Sequence, residues 1–231
     1  MTAERSPLDL FRLDGRVALV TGASRCICRM AAEVLAQAGS HVVLAAREAA
    51  ALEQACARIG EVGGGAEPLV LDVSDEDAIR QAVADLDRRG RSPDILVNNA
   101  GRIDRASLPE STTDDWRAVV AFNLTGPYVL ARTVSEGMRR RGWGRIINIA
   151  SILAIHGKPN AHSYTETKHA VAGLNRSLCA ELGRDGILVN AICPGYIRTE
   201  FTGVLQENKV FSDMVVSRVP LRRWGETADL A

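Results

Sequence analysis

The chain has 231 residues, 46% of them hydrophobic and 24% charged, with 28 basic residues set against 28 acidic ones. That apolar fraction excludes a disordered chain, and a net charge of zero gives no electrostatic ground for a nucleic-acid partner or an anionic membrane surface. The apolar runs are far too short to span a bilayer and Met1–Asp14 is polar, so one cytoplasmic domain over residues 1–231, with no membrane partner, is expected.

Short β-branched runs alternate with longer helical stretches along the chain. Arg16–Thr21 reads as a strand, followed by an alanine-rich helix that ends near Gly39. Val42–Ala46 and Glu48–Gly60 repeat the strand–helix unit, and Glu67–Val73 with Asp75–Arg89 repeat it again. The last of these helices has an acidic first turn and a basic last turn, as the helix dipole favours. Asp94–Asn98 is a fourth strand, and a long helical pattern covers Asp114–Arg140 with interruptions near Asn123 and Gly126-Pro127. A strand over Arg145–Ala150, a helix over His162–Arg184 and a strand over Ile187–Ile192 complete the series. The strands are nearly all apolar, as burial on both faces requires. The alternation builds βαβ units, so the expected fold class is α/β: a Rossmann-type, doubly wound parallel sheet with helices on both faces. In such sheets ligands bind beyond the carboxyl ends of the strands.

The cysteines are Cys26, Cys28, Cys56, Cys179 and Cys193. An odd, scattered set does not make a disulfide framework, and Cys26-x-Cys28 has no second pair at zinc spacing, so no metal site is expected. Cys56, Cys179 and Cys193 read as small buried hydrophobes.

The first strand runs into Thr21-Gly22-Ala23-Ser24-Arg25-Cys26-Ile27-Cys28-Arg29. This frame resembles the cofactor loop of the short-chain dehydrogenase/reductase family, with cysteine at the two later glycine positions. In dinucleotide loops those glycines let backbone approach the pyrophosphate and helix pack close on strand, while the helix N-terminus offers amide donors to phosphate. The resemblance implies cofactor contacts from Gly22, Ser24, Arg25, Cys26 and Ile27. The two cysteines leave two readings open: weakened binding, or a folded but catalytically impaired Rossmann-fold protein. At the end of the second strand, Ala46 stands where members preferring NAD carry an acid, and Arg47 follows. Arg25 and Arg47 without an acid point to NADP(H), with NAD(H) as the alternative. Asp72 and Val73 match the family's adenine contacts, Asn98 in Asn98-Asn99-Ala100-Gly101 supports the sheet end and the cofactor ribose, and Ile197 and Thr199 contact the nicotinamide carboxamide.

Tyr164 and Lys168 lie four residues apart on a predicted helix and so share a face. With Ser151 after the fifth strand and Asn123 in the helix interruption, they match the family's catalytic tetrad in order and context. The resemblance implies hydride transfer between nicotinamide and a carbonyl or secondary alcohol. Tyr164 then serves as general acid/base, Ser151 as the hydrogen-bond donor to the substrate oxygen, and Lys168 as the residue that holds ribose and lowers the tyrosine pKa. Asn123 keeps the helix open and positions a water. Glu166, where small residues are usual, is expected to face away from Tyr164. His156, Asn160 and His162 are candidate hydroxyl contacts in the wall Ile152–Ser163, and Arg198–Trp224 resembles the family's lid. The stretches Leu10–Arg16 and Pro220–Gly225 resemble gluconate 5-dehydrogenase-like members, which favours a small-molecule sugar-acid or polyol substrate. A 3-oxoacyl-thioester reductase is the alternative. Members are commonly homo-oligomers, tetramers or dimers. After Trp224-Gly225-Glu226 the family continues through a helix to an edge strand, so that final helix and strand are expected to be missing.

Overall fold

The computed structural model describes residues 7–24 and 26–230. Its first half alternates β1 (Val17–Thr21), α1 (Cys26–Gln37), β2 (His41–Ala46), α2 (Ala49–Glu61), β3 (Gly65–Val70), α3 (Glu76–Arg88) and β4 (Ile95–Asn98). The second half adds α4 (Thr113–Val120), α5 (Gly126–Arg141), β5 (Gly144–Ile149), α6 (His162–Leu182) and β6 (Ile187–Ile192), then α7 (Gly203–Glu207) and α8 (Lys209–Arg218). The six strands pair in parallel in the order β3-β2-β1-β4-β5-β6, so the topological switch point falls between β1 and β4. The α/β class and the parallel Rossmann-type sheet expected from the alternation are what the structure shows.

Two apolar layers hold the helices on the sheet. On one face Leu19, Val43, Leu96 and Ile146 meet α3 and α5 through Ile79, Val83, Leu130, Val134 and Met138. On the other, Val20, Val42, Leu44, Ile95 and Val97 meet α1 and α2 through Ala32, Leu52, Ala55 and Ile59. Fully burying each larger aliphatic chain contributes about 1.5–3 kcal/mol. Asp94 is buried at the opposite end of the sheet from the ligand side. It accepts the Val17 N–H at 3.1 Å and Arg141 Nε at 3.0 Å, tying the start of β1 to the end of α5.

Burial on both faces holds for β1, β2 and β4 but not for the others. β3 is an edge strand with Pro68 paired opposite Leu44, a position where a missing N–H costs nothing on the open side. It also runs over Gly65–Val70 rather than the expected Glu67–Val73, because its register follows the six residues of β2. β6 is the other edge among the described residues, and it leaves Leu188 and Ile192 exposed. Cys179 on α6 and Cys193 just past β6 are likewise exposed, and Cys56 is half-buried, so the expectation of three buried cysteines is corrected by their outward-facing positions.

The predicted break in the long helix is not a break. A π-helical turn, Ala121–Thr125, joins α4 to α5, with the Gly126 N–H reaching back to the Ala121 carbonyl. Gly126 has a packing reason of its own: a Cβ there would lie 2.1 Å from the Val73 carbonyl oxygen. Its absence lets α5 pass directly over the segment that follows β3. Among the described residues no helix is long and apolar enough to cross a membrane.

Candidate active site

The carboxyl ends of the strands converge on one cleft of about 580 Å³. Thr21, the last residue of β1, pins two of its loops together. Its Oγ1 donates to the Val97 carbonyl at 3.2 Å and accepts the N–H groups of Asn99 and Ala100 at 3.1 and 3.3 Å. Gly22 follows with φ of +68°, and a Cβ there would sit 3.0 Å from Ala100 Cα, so the conformation and the close approach both require glycine.

Cys26, the first residue of α1, has φ of +53°. The position that resembles a glycine thus keeps the left-handed backbone glycine adopts freely, at a cost of about 1–2 kcal/mol for a residue with a Cβ. Cys28 lies one half-turn on, wholly buried in the layer between α1 and the sheet. Burial pushes its thiol well up; the Lys168 charge and a hydrogen bond with Asn99 offset that only in part, so Cys28 packs as a neutral side chain.

The residues around this loop fit a dinucleotide. The start of α1 faces the cleft through Ser24, Cys26 and Ile27, where helix N–H groups and dipole suit phosphate. Arg47 lines the same wall next to Ala46, forms no ion pair among the described residues, and lies 5.6 Å from the Phe122 ring centre. Val73, Ile197 and Thr199 also line the cleft. Arg25 lies outside the described residues. Asp72 and Asn98 take other places: Asp72 Oδ1 accepts the Ser74 N–H and hydroxyl at 2.9 and 2.6 Å, and Asn98, buried, donates to the Pro127 carbonyl and to Asn148 Oδ1 at 3.3 and 3.0 Å. Their side chains brace the strand ends rather than face the cleft. Two carboxylates were overlooked: Glu48, at the N-cap of α2 beside Arg47, and Glu200, on the short turn after Thr199, also line the cleft.

Ser151, Tyr164 and Lys168 meet at the cleft floor. Ser151 caps a short turn by accepting the Leu153 N–H at 3.1 Å, which fixes its oxygen and leaves its proton for the Tyr164 phenol. The Tyr164 ring rests 6.0 Å from Phe201, centre to centre. Burial raises the phenol above its ordinary value, and the Ser151 hydrogen bond and the Arg105 charge draw it back in part. The Lys168 ammonium, buried and 5.4 Å from the ring centre, spends a 2.6 Å hydrogen bond on the Ile149 carbonyl. Burial in turn pulls that ammonium down to about 8, with Cys28 and Cys193 opposing.

Asn123 does not line the cleft. From the π-helical turn its Oδ1 accepts the Arg102 N–H at 2.8 Å, and its Nδ2 donates to the Arg102 carbonyl at 2.8 Å and to Thr167 Oγ1 at 3.2 Å. It therefore clamps the loop after β4 to the helix that carries Tyr164 and Lys168. Glu166 is exposed, away from the cleft, and accepts the Trp116 indole N–H at 2.6 Å.

Of the wall Ile152–Ser163, the residues that reach the cleft are Ile152, Leu153 and Lys158; His156, Asn160 and His162 do not. Lys158 and Arg105, the latter from the loop after β4, are the cleft cations that sequence reading missed. Their only signal was position, since both follow the carboxyl end of a strand.

The family model for short chain dehydrogenases matches residues 16–210. The chain is 39% identical to gluconate 5-dehydrogenase of Gluconobacter oxydans over 96% of its own length and 87% of that protein. It is 35% identical to the 3-oxoacyl-[acyl-carrier-protein] reductase FabG of Haemophilus influenzae, over 95% and 88% of the two chains. Its fold superposes with a TM-score of 0.93 on a gluconate 5-dehydrogenase from Burkholderia cenocepacia in complex with NADP and tartrate, at 39% identity, covering 97% of this chain and 88% of that one. Sheet order, cleft and the juxtaposed Ser151, Tyr164 and Lys168 agree with these similarities: the chain belongs to the short chain dehydrogenase family and is an oxidoreductase acting on an alcohol or carbonyl carbon.

Proposed function

We propose that this enzyme uses NADP(H) to interconvert a keto group and a secondary alcohol on a sugar acid of the gluconate type. The observation that carries the reading is the cleft itself: Ser151, Tyr164 and Lys168 at its floor, and Arg47 beside Ala46 on the wall suited to a 2′-phosphate. The relatives support the substrate class, since the similar proteins include the gluconate 5-dehydrogenase of Gluconobacter oxydans and the 5-keto-D-gluconate 5-reductase of Escherichia coli. When bound, the nicotinamide supplies or accepts the hydride.

The chain's own residues handle the proton. In reduction Tyr164 donates its phenolic proton to the substrate oxygen as negative charge develops there. Ser151, its oxygen already fixed by the Leu153 N–H, donates to the same oxygen and stabilises that charge. Lys168 keeps a cation behind the phenol and has N–H donors left for ribose hydroxyls after its bond to Ile149. Asn123 acts as a positioning residue, holding the loop after β4 against α6. Ser24, Cys26, Ile27 and Arg47 are the groups placed to hold the cofactor phosphates.

A second reading, reduction of a 3-oxoacyl thioester, is favoured by the apolar wall of Ile103, Leu153 and Leu205 and by the similarity to FabG. We further infer a cytoplasmic homo-oligomer: the described cysteines are all free, and Trp116 and Tyr128 leave apolar surface exposed on α4 and α5. Steady-state rates with 5-keto-D-gluconate and acetoacetyl-coenzyme A, each with NADPH and NADH, test the assignment. The reading predicts the sugar acid with NADPH as the best pair, and an Arg47→Ala variant that loses about tenfold in NADPH affinity with little change for NADH. Preference for the thioester, or for NADH, contradicts it.

A further inference from the structure

The cleft holds two cations that neither the proton-handling groups nor the phosphate positions use. Lys158 lies on the loop between Ser151 and Tyr164, and Arg105 on the loop after β4. The chain carries as many acidic residues as basic ones, yet neither cation forms an ion pair among the described residues. Lys158 also has no hydrogen-bond acceptor there. Its ammonium sits 4.5 Å from the Phe211 ring centre and 5.8 Å from that of Tyr196, and those rings meet edge to face at 5.5 Å. Tyr196 rests in turn on the buried Trp224 at 5.7 Å, whose indole N–H donates to Ser212 Oγ at 2.9 Å. This aromatic backing fixes the direction of the lysine but satisfies none of its three N–H donors.

Arg105 has spent little of its capacity. One N–H goes to the Phe201 carbonyl at 3.2 Å, and the guanidinium lies 5.7 Å from the Phe201 ring. The same Phe201 ring lies 6.0 Å from that of Tyr164, and the Arg105 charge acts on both the Tyr164 phenol and Lys158. Burial, and then Arg105, push the Lys158 ammonium below its ordinary value. Lys158 is half-buried and Arg105 exposed, and Glu200, which also lines the cleft, forms no ion pair with either, so an anionic ligand group is what would complete the set.

We propose that Lys158, held by its aromatic backing and seconded by Arg105, binds the substrate carboxylate and so selects acids over uncharged sugars of the same skeleton. The proposal rests on the carbonyl-reductase reading above and adds the residue that sets its substrate class. An alternative role for Lys158, as a strut that merely ties its loop to α8, would act on charged and uncharged substrates alike.

The test compares 5-keto-D-gluconate with L-sorbose, which carries a hydroxymethyl group in place of the carboxylate, in wild type, Lys158→Met and Lys158→Arg. Calorimetric titration of the NADP-loaded proteins with D-gluconate and D-sorbitol gives a readout independent of turnover. Lys158→Met keeps the aliphatic stem on the rings and removes the charge. It should raise KM for the keto acid by roughly tenfold to a hundredfold, the range of one charge-assisted hydrogen bond, with kcat much less affected. Its loss on the keto acid should exceed that on L-sorbose by about tenfold or more, and Lys158→Arg should recover most of it. Equal losses on both substrates, or gluconate affinity unmoved by Lys158→Met, overturn the proposal. If wild type reduces ketones with no preference for the acid, the carboxylate contact falls and the reductase reading stands. If it reduces neither ketone yet binds gluconate through Lys158, the contact stands and the reaction reading falls.

Discussion

Replacing Cys26 by glycine tests how the cofactor loop works with a side chain where the loop frame it resembles has a glycine. Cys26 holds φ of +53° at the start of α1 and faces the cleft. A residue with a Cβ in that region costs about 1–2 kcal/mol, which glycine escapes. Glycine in turn loses about 0.5–1 kcal/mol to the greater freedom of the unfolded chain. The balance favours Cys26→Gly by up to about 1.5 kcal/mol, a rise in Tm of up to about 6 °C for a chain of this size. Removing the Cβ and Sγ from the cleft wall also lets phosphate approach the helix start more closely. If the bulk now costs about 1 kcal/mol of binding, NADPH affinity should improve about fivefold. Thermal melting with and without NADPH, together with a fluorescence titration, reads both effects. Cys26→Ala, which keeps the Cβ and the backbone strain, should show no rise in Tm. A Cys26→Gly protein that melts below wild type, or binds NADPH no more tightly, refutes the argument.

Two further changes probe the frame. Burial holds the Lys168 ammonium at about 8, so kcat/KM for reduction should fall above that pH, as the cation behind Tyr164 is lost. Lys168→Arg, whose guanidinium stays charged, should move the fall upward by about one unit or more, and an unmoved profile assigns it to another group. The same shift bears on stability. The folded value lies below the unfolded one, so the charge opposes folding below pH about 8 and the penalty fades as pH rises toward about 10.4. Wild type should therefore gain on Lys168→Met across that window in denaturant titrations. In the core, Gly126→Ala places a methyl 2.1 Å from the Val73 carbonyl oxygen, where backbone has to shift. A loss of about 1–3 kcal/mol should lower Tm by about 2–12 °C, and a Tm within about 1 °C of wild type would mean that α5 can slide.

Much of the architecture could be read from pattern because the central strands are apolar throughout and the helices between them are periodic. The errors fall where pattern gives way to packing. The pattern starts a strand at Glu67 and carries it to Val73, but β3 is an edge over Gly65–Val70 whose register is set by β2. Asn123 looked like a helix break, whereas the chain continues through a π-helical turn stabilised by the Arg102 backbone and Thr167. In the cleft, Ser151, Tyr164 and Lys168 were legible through the family resemblance whose motif order they match; helix spacing alone joined only Tyr164 and Lys168. Lys158 was not. Nothing in the sequence Gly157-Lys158-Pro159 says that Tyr196 and Phe211, distant along the chain, will back that ammonium. Asp72 and Asn98 show the converse, since strand ends can match a motif while their side chains turn to brace neighbouring loops.

The central claim is that Tyr164 transfers the proton in a cleft whose cofactor-binding wall is independent of it. Tyr164→Phe removes one oxygen and keeps the ring against Phe201. Turnover of 5-keto-D-gluconate measured beside NADPH affinity in this variant decides the matter: a loss of about a hundredfold to ten-thousandfold in kcat, with NADPH Kd within about threefold of wild type, is predicted. Turnover close to that of wild type would contradict it.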